Sequence, residues 1–161
     1  FFRAVTVRAE PRLVRRWLRQ LRVAPYSYDW LDNFGRRSPP RLTPGLAPLA
    51  AGQRVMIIFR IVAANGDDVT VRLDSALGRA LMGDFAGTYR IAPAGGGARL
   101  IAKVLVRYPS GIYGRLLERA MPHLDLFMFR KQLLTLRRYA ERDQARAGQS
   151  GARTAEACPE S

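Results

Sequence analysis

From Arg54 to Tyr108 the chain reads as four successive strand-like runs, the last three with apolar and polar residues alternating, and this pattern leaves few folds open. Successive side chains on a strand point to opposite faces, so a period of two implies a sheet with one covered and one wet face. The first run, Arg54 to Ala64, is rich in Val, Ile and Phe, which favour strands. Asn65-Gly66 then supplies a two-residue hairpin turn, and Val69, Val71 and Leu73 alternate with Thr70, Arg72 and Asp74. Met82 to Ile91 places Phe85, Gly87, Tyr89 and Ile91 on one face. Gly95-Gly96-Gly97 turns the chain, and Arg99 to Tyr108 sets Leu100, Ala102, Val104 and Val106 against Arg99, Lys103 and Arg107.

A sheet with one apolar face needs a cover. Phe2 to Ala9 predicts a further strand, and Glu10-Pro11 then opens a helix, because proline suits the first helical turn. In that helix Leu13, Val14, Trp17, Leu18 and Leu21 form one stripe, while Arg12, Arg15, Arg16, Arg19 and Arg22 fill the rest of the circumference. Pro25 ends it. Past the meander, Ile112 to Met121 predicts a short helix that ends or kinks at Pro122. Leu124 to Arg142 predicts a long one, with Leu126, Phe129, Leu133, Leu136 and Ala140 at helical spacing and Phe127, Met128, Leu134 and Tyr139 widening the stripe. The expected fold is α+β over residues 1–143, with helices on one face of an antiparallel sheet. Residues 144–161 read as a disordered polar tail.

The formal net charge of +14 on 161 residues raises the question of an anionic partner. Arg supplies all of the 27 basic residues except Lys103 and Lys131, a bias that reads as a GC-rich, bacterial coding background. The charge is also spread, at +7, +4 and +3 over residues 1–50, 51–109 and 110–161. Arg36, Arg37 and Arg41 lie beside aromatic residues that could stack bases, but no nucleic-acid module signature is present, so nucleic acid is not an expected partner. The arginine face of residues 12–22 could rest weakly on an anionic membrane, a solvated helix face being the plainer reading. No apolar run reaches the length of a membrane-spanning helix, and a cytoplasmic location is expected. The chain begins at Phe1 without a Met, which leaves a removed leader open. Cys158 is the only cysteine, so no internal disulfide forms. The oligomeric state is not encoded in any of these features.

Signatures of catalysis are sparse. There is no Gly-x-Ser-x-Gly, His-Glu-x-x-His or Cys-x-x-Cys, and the triple glycine is not followed by the Lys-Ser/Thr of a phosphate loop. His123 alone cannot build a multi-histidine metal site, and its place beside Pro122 suits a surface or capping role. Glu118 and Asp125 have Arg115 and Arg119 nearby and read as ion-pair partners. Neither a metal nor a cofactor is expected. The strongest site candidate lies in the irregular, proline-rich segment Tyr26 to Gly52, because long ordered loops often cap pockets. There Tyr26, Tyr28 and Trp30 could line a pocket while Asp29, Asp32 or Asn33 orient a polar group of a ligand. Alternatively the aromatics are core and the polar residues tie down the loop. Phe59, Phe85 and Tyr89 on the sheet, and Met128, Phe129 and Leu133 on the last helix, are the further lining candidates.

Three stretches carry a family resemblance. Ala9-Glu10-Pro11 with Val14 resembles the strand, Ala-x-Pro, Val-Trp-x-x-Leu opening of the START-like (SRPBCC) superfamily, with Trp17 displaced from its usual place beside the Val. Tyr26-Ser27-Tyr28-Asp29-Trp30-Leu31-Asp32-Asn33 is similar to a signature of one subgroup, and Phe127 to Leu134 resembles that subgroup's final helix. The resemblance spans about residues 2–142, and it includes polyketide cyclase/dehydrase-like proteins. It implies a helix-grip fold enclosing an apolar cavity, and a small hydrophobic molecule (a lipid, polyketide or similar) as partner. Such a protein would bind that molecule or act on it as a cyclase/dehydratase-like enzyme; the alternative is a peripheral membrane or lipid-transfer protein. The meander is a strand or two shorter than in such proteins, and Gly35 to Gln53 stands where they often have a second helix and early strands.

Overall fold

The computed structural model describes the backbone of residues 1–156, and the side chains of these except at 31, 32, 122, 124–126 and 151–156. Six strands form one antiparallel sheet: β1 (Phe2–Val7), β2 (Arg54–Val55), β3 (Phe59–Asn65), β4 (Asp68–Leu73), β5 (Asp84–Ala94) and β6 (Gly97–Arg107). Their order across the sheet is β1-β6-β5-β4-β3-β2, so the N-terminal strand closes the edge beside the last one. Four helices accompany them: α1 (Pro11–Arg19), the single turn α2 (Asp29–Asp32), α3 (Ala76–Met82) and α4 (Gly111–Glu156). This is the expected α+β arrangement of a meander with a long C-terminal helix.

The alternation sets the inner face. Val5 and Val7, Ile61, Val69 and Val71, Tyr89 and Ile91, and Leu100 and Ala102 are all buried, and Leu133, Leu136 and Ala140 of α4 close over them. The α1 helix joins through Val14, Trp17 and Leu18, as its stripe requires. Trp17 is fully buried and binds α1 to α4. Its ring lies 4.9 Å from that of Tyr139 and 6.0 Å, edge-on, from that of Tyr26. Its indole N–H donates to the Asp143 carboxylate at 3.2 Å.

The wet face carries a ladder of charge pairs. Arg60 grips Asp74 through two bonds of 2.9 and 2.8 Å, Arg90 grips Asp68 at 2.6 and 2.7 Å, and Arg72 grips Asp84. Hydrogen bonds from these guanidinium groups hold the Asp68, Asp74 and Asp84 carboxyls below the usual carboxylate range. A carboxyl whose folded pKa is lowered adds stability above its unfolded pKa, about 3.9, and loses it as pH falls through the folded value. The melting midpoint is therefore expected to fall as pH drops below about 4, and the triple Asp→Asn variant at 68, 74 and 84 should show a shallower slope. Calorimetry over that pH range checks it.

Three local expectations are corrected. The run Arg54 to Ala64 is not one strand: β2 folds back on β3, with Arg54 opposite Arg60. Met56 and Ile57 adopt φ of 47° and 68° at the turn, where the Met56 N–H donates to the Leu21 carbonyl at 2.7 Å and turns the methionine inward. The run Met82 to Ile91 begins late, because Ala76–Met82 is helical and Gly83, at φ 88°, ends the helix before β5 starts at Asp84. A Cβ on Gly83 would meet the Arg107 carbonyl oxygen, so glycine is required there. The last helix does not stop at Pro122; α4 is continuous from Gly111. A proline removes one N–H from the ladder, and the turns on both sides carry the helix across. The helix α4 extends to Glu156. Its Ala, Gln and Arg residues are good helix formers, and no proline intervenes before residue 159. Residues 157–161, Cys158 among them, lie outside the described residues.

Candidate functional site

Four of the sequence-predicted residues meet on the inner face. Phe59 opens β3, Phe85 and Tyr89 stand on the same face of β5, and Phe129 reaches them from α4. Ring centroids lie 5.2 Å apart for Phe59 and Phe85, 6.1 Å for Phe85 and Phe129, and 6.3 Å for Tyr89 and Phe129. These are ordinary separations for interacting aromatics. With Leu73, Val104 and Val106, the three phenylalanines form a second apolar cluster set apart from the main core, and Phe59 and Phe129 touch both. The register explains the grouping: Phe59 stands opposite Leu73, and Phe85 opposite Val106, at one end of the sheet. Leu73, Phe85 and Val104 are buried, whereas Phe59, Val106 and Phe129 keep part of their surface exposed. Met128 is half-buried on α4, and Leu133 belongs to the main core.

The polar floor of this cluster was not singled out by the sequence reading. The buried Tyr89 hydroxyl donates to Gln132 Oε1 at 2.6 Å, and Gln132 Nε2 donates to the Pro25 carbonyl at 2.7 Å. The Met56 sulfur lies 3.2 Å from that same nitrogen and 3.7 Å from the tyrosine oxygen. Burial pushes the Tyr89 hydroxyl up, against the smaller opposing effect of Gln132, so it stays protonated. The signal for Gln132 was in the sequence: it lies three residues after Phe129 and four before Leu136, an inward position on the apolar stripe. Such a polar residue among inward neighbours needs partners, which here are Tyr89 and Pro25.

The Tyr26 to Asn33 stretch holds its own loop together. Asp29 accepts from the Ser38 N–H at 2.8 Å and the Ser38 hydroxyl at 2.5 Å, and Asn33 Nδ2 donates to the Arg36 carbonyl at 2.5 Å. Tyr26, at φ 57°, is buried against Trp17 and Tyr139, and its hydroxyl donates to the Pro39 carbonyl at 3.0 Å. Burial, then Tyr139 and Asp29, push that hydroxyl up as well. Gln20 joins this group from a buried position. Its Oε1 accepts from the Thr43 hydroxyl at 2.9 Å and the Thr43 N–H at 3.2 Å, tying the irregular segment to the helical end. Tyr28 is half-buried, Trp30 is 73% exposed, and the Asp32 side chain lies outside the described residues. These contacts are those of the loop-tying alternative, and none of the described side chains of the stretch joins the phenylalanine cluster.

Two surface clefts lie on other parts of the molecule. One of about 400 Å³ is lined by Arg60, Val62, Arg72, Leu73, Asp74 and Arg79. Its arginines are already held, by Asp74, by Asp84 and, for Arg79, by the Leu73 carbonyl at 2.9 Å. Another of about 240 Å³ lies between α1 and the β3–β4 hairpin. Among the described residues no three His, Cys, Asp or Glu side chains gather to hold a metal, and His123 is exposed on α4. The described groups thus offer apolar shape and one internally satisfied polar network, with no paired acid and base.

No family model and no curated protein matches this chain. Solved structures do. The di-domain ARO/CYC StfQ from the steffimycin biosynthetic pathway aligns with 92% of this chain at a TM-score of 0.54 and 14% identity. The chain spans about half of that protein, 51% of its length. The protein CV1439 from Chromobacterium violaceum aligns with 88% of this chain and 96% of its own length, at a TM-score of 0.51 and 16% identity. Likeness at this identity is likeness of fold, and it agrees with the strand order and the long closing helix: the chain has a helix-grip fold.

Proposed function

We propose that this chain binds a small hydrophobic ligand on the aromatic surface between the sheet and α4. The observation that carries this reading is the second apolar cluster. Phe59, Val106 and Phe129 remain partly uncovered beside buried Leu73, Phe85 and Val104, an arrangement a single solid core does not need. Pockets of this class are mostly apolar with few placed polar groups. The fold supports the reading, and a planar, ring-containing ligand such as a polyketide suits three phenylalanine rings. With Tyr89 held protonated and donating to Gln132, the site contributes shape and water exclusion first. Any cyclase- or dehydratase-like step would be steered by how the surface folds the ligand.

The test is a titration with an anilinonaphthalene sulfonate probe, whose fluorescence rises in apolar surroundings. Val106→Trp adds bulk at a half-buried position of this cluster and is expected to weaken probe binding about tenfold or more, about 1.4 kcal/mol. Equal affinity in the two proteins, both folded by circular dichroism, would remove the reading.

A further inference from the structure

We propose that the end of the sheet formed by α3 and the first turns of α4 is a docking surface for an anionic lipid bilayer. The helix α3 poses the problem. It has seven residues and buries none of them. A helix this short gains little from its own hydrogen bonds, and packing normally holds it. Yet Leu77 is 69% exposed, and Leu81, one turn on, shares its face. Capping of the Gly78 N–H by the Ser75 hydroxyl at 3.1 Å satisfies the backbone but covers no apolar surface.

The fold brings more of the same to this end. Asp84, just after α3, pairs with Arg107, just before α4, so the end of one helix and the start of the other are neighbours. The Tyr113 hydroxyl donates to the Leu81 carbonyl at 2.7 Å and joins them. Ile112, 74% exposed, and Leu116, 62% exposed, stand one turn apart on α4. Ile57 is exposed at the same rim, because the Asp74 N–H donates to the Ile58 carbonyl at 2.9 Å. Three separate segments therefore present aliphatic side chains at one end of the sheet.

The charge selects the occupant. Arg107, Arg115 and Arg119 are exposed around this surface, against one acid, Glu118, in the same stretch. The nearby Asp74 and Asp84 are already paired with Arg60 and Arg72. Aliphatic side chains that enter the acyl boundary, ringed by arginines that meet phosphate, are the requirements of an interfacial surface on anionic lipid. The arginine face of α1 lacks the first half of that pair, since its Val14, Trp17 and Leu18 are buried in the core. The surface stands whether or not the interior holds a ligand.

Co-sedimentation with vesicles of phosphatidylcholine, alone or mixed with phosphatidylserine, tests the proposal. The chain is expected to pellet with the mixed vesicles and to be released by salt. The double variant Leu77→Ser/Leu116→Ser changes no charge and touches only exposed positions, so it should keep its circular dichroism and lose about tenfold in partitioning. Absence of the wild-type chain from the mixed-vesicle pellet would overturn the proposal, as would equal partitioning of the double variant. So would a wild-type dimer in light scattering that the double variant abolishes, because a second copy would then cover the patch.

Discussion

Trp17→Ala is expected to lower stability by about 3–5 kcal/mol, the range for truncating a buried large aromatic. The melting temperature of a chain this size should then fall by roughly 10 °C. The indole is fully buried, lies tilted against Tyr139, meets Tyr26 edge-on and hydrogen-bonds Asp143. Its removal opens a cavity between α1 and the second half of α4 and leaves the half-buried Asp143 with Arg142 alone as partner among the described residues. Phenylalanine at 17 should recover most of the packing but not the bond to Asp143, and so fall between the two. Chemical denaturation of the three proteins measures this. A loss under about 1 kcal/mol for the alanine variant would mean that α1 is not anchored through this residue.

Gln132→Leu is expected to cost roughly 2–4 kcal/mol, although leucine is nearly the same size and more apolar. The reason is what it strands. The Tyr89 hydroxyl and the Pro25 carbonyl both lose a partner in the interior, and a buried polar group without one costs about 1–3 kcal/mol. The effect should be non-additive with Tyr89→Phe. Once glutamine is gone, removing the stranded hydroxyl restores part of the loss, so the double variant should be more stable than the sum of the singles implies. A strictly additive cycle would contradict the bond between them.

Much of this architecture is written in the periodicities. Strand faces follow from alternation, and the inward sides of α1 and α4 follow from helical spacing, because burial against a sheet enforces both. What escaped were places where a local contact overrides the pattern. Met56 reads as one more strand residue, yet its N–H is taken by Leu21 and its side chain turns inward toward Gln132. The stretch Ala76 to Met82 is too short for a period to show, and its helix carries no buried stripe. Pro122 is a sound reason to expect a break, and only the turns on either side override it. In the candidate site, Phe59, Phe85, Tyr89 and Phe129 were legible because faces were legible. Gln20 and Gln132 escaped because a glutamine interrupts the apolar stripe by which an inward helix face is read, although both are buried. The loop residues Asp29 and Asn33 drew attention by type, but type alone does not separate a residue that holds a ligand from one that holds its own loop.

The claim that the aromatic surface holds a hydrophobic molecule is tested most directly by native mass spectrometry of the chain purified from cells. The account predicts a bound small molecule that leaves on gentle activation, with its occupancy reduced in Val106→Trp and retained in Leu77→Ser/Leu116→Ser. A wild-type chain that carries no adduct, and that takes up none when offered apolar ring compounds, would contradict it.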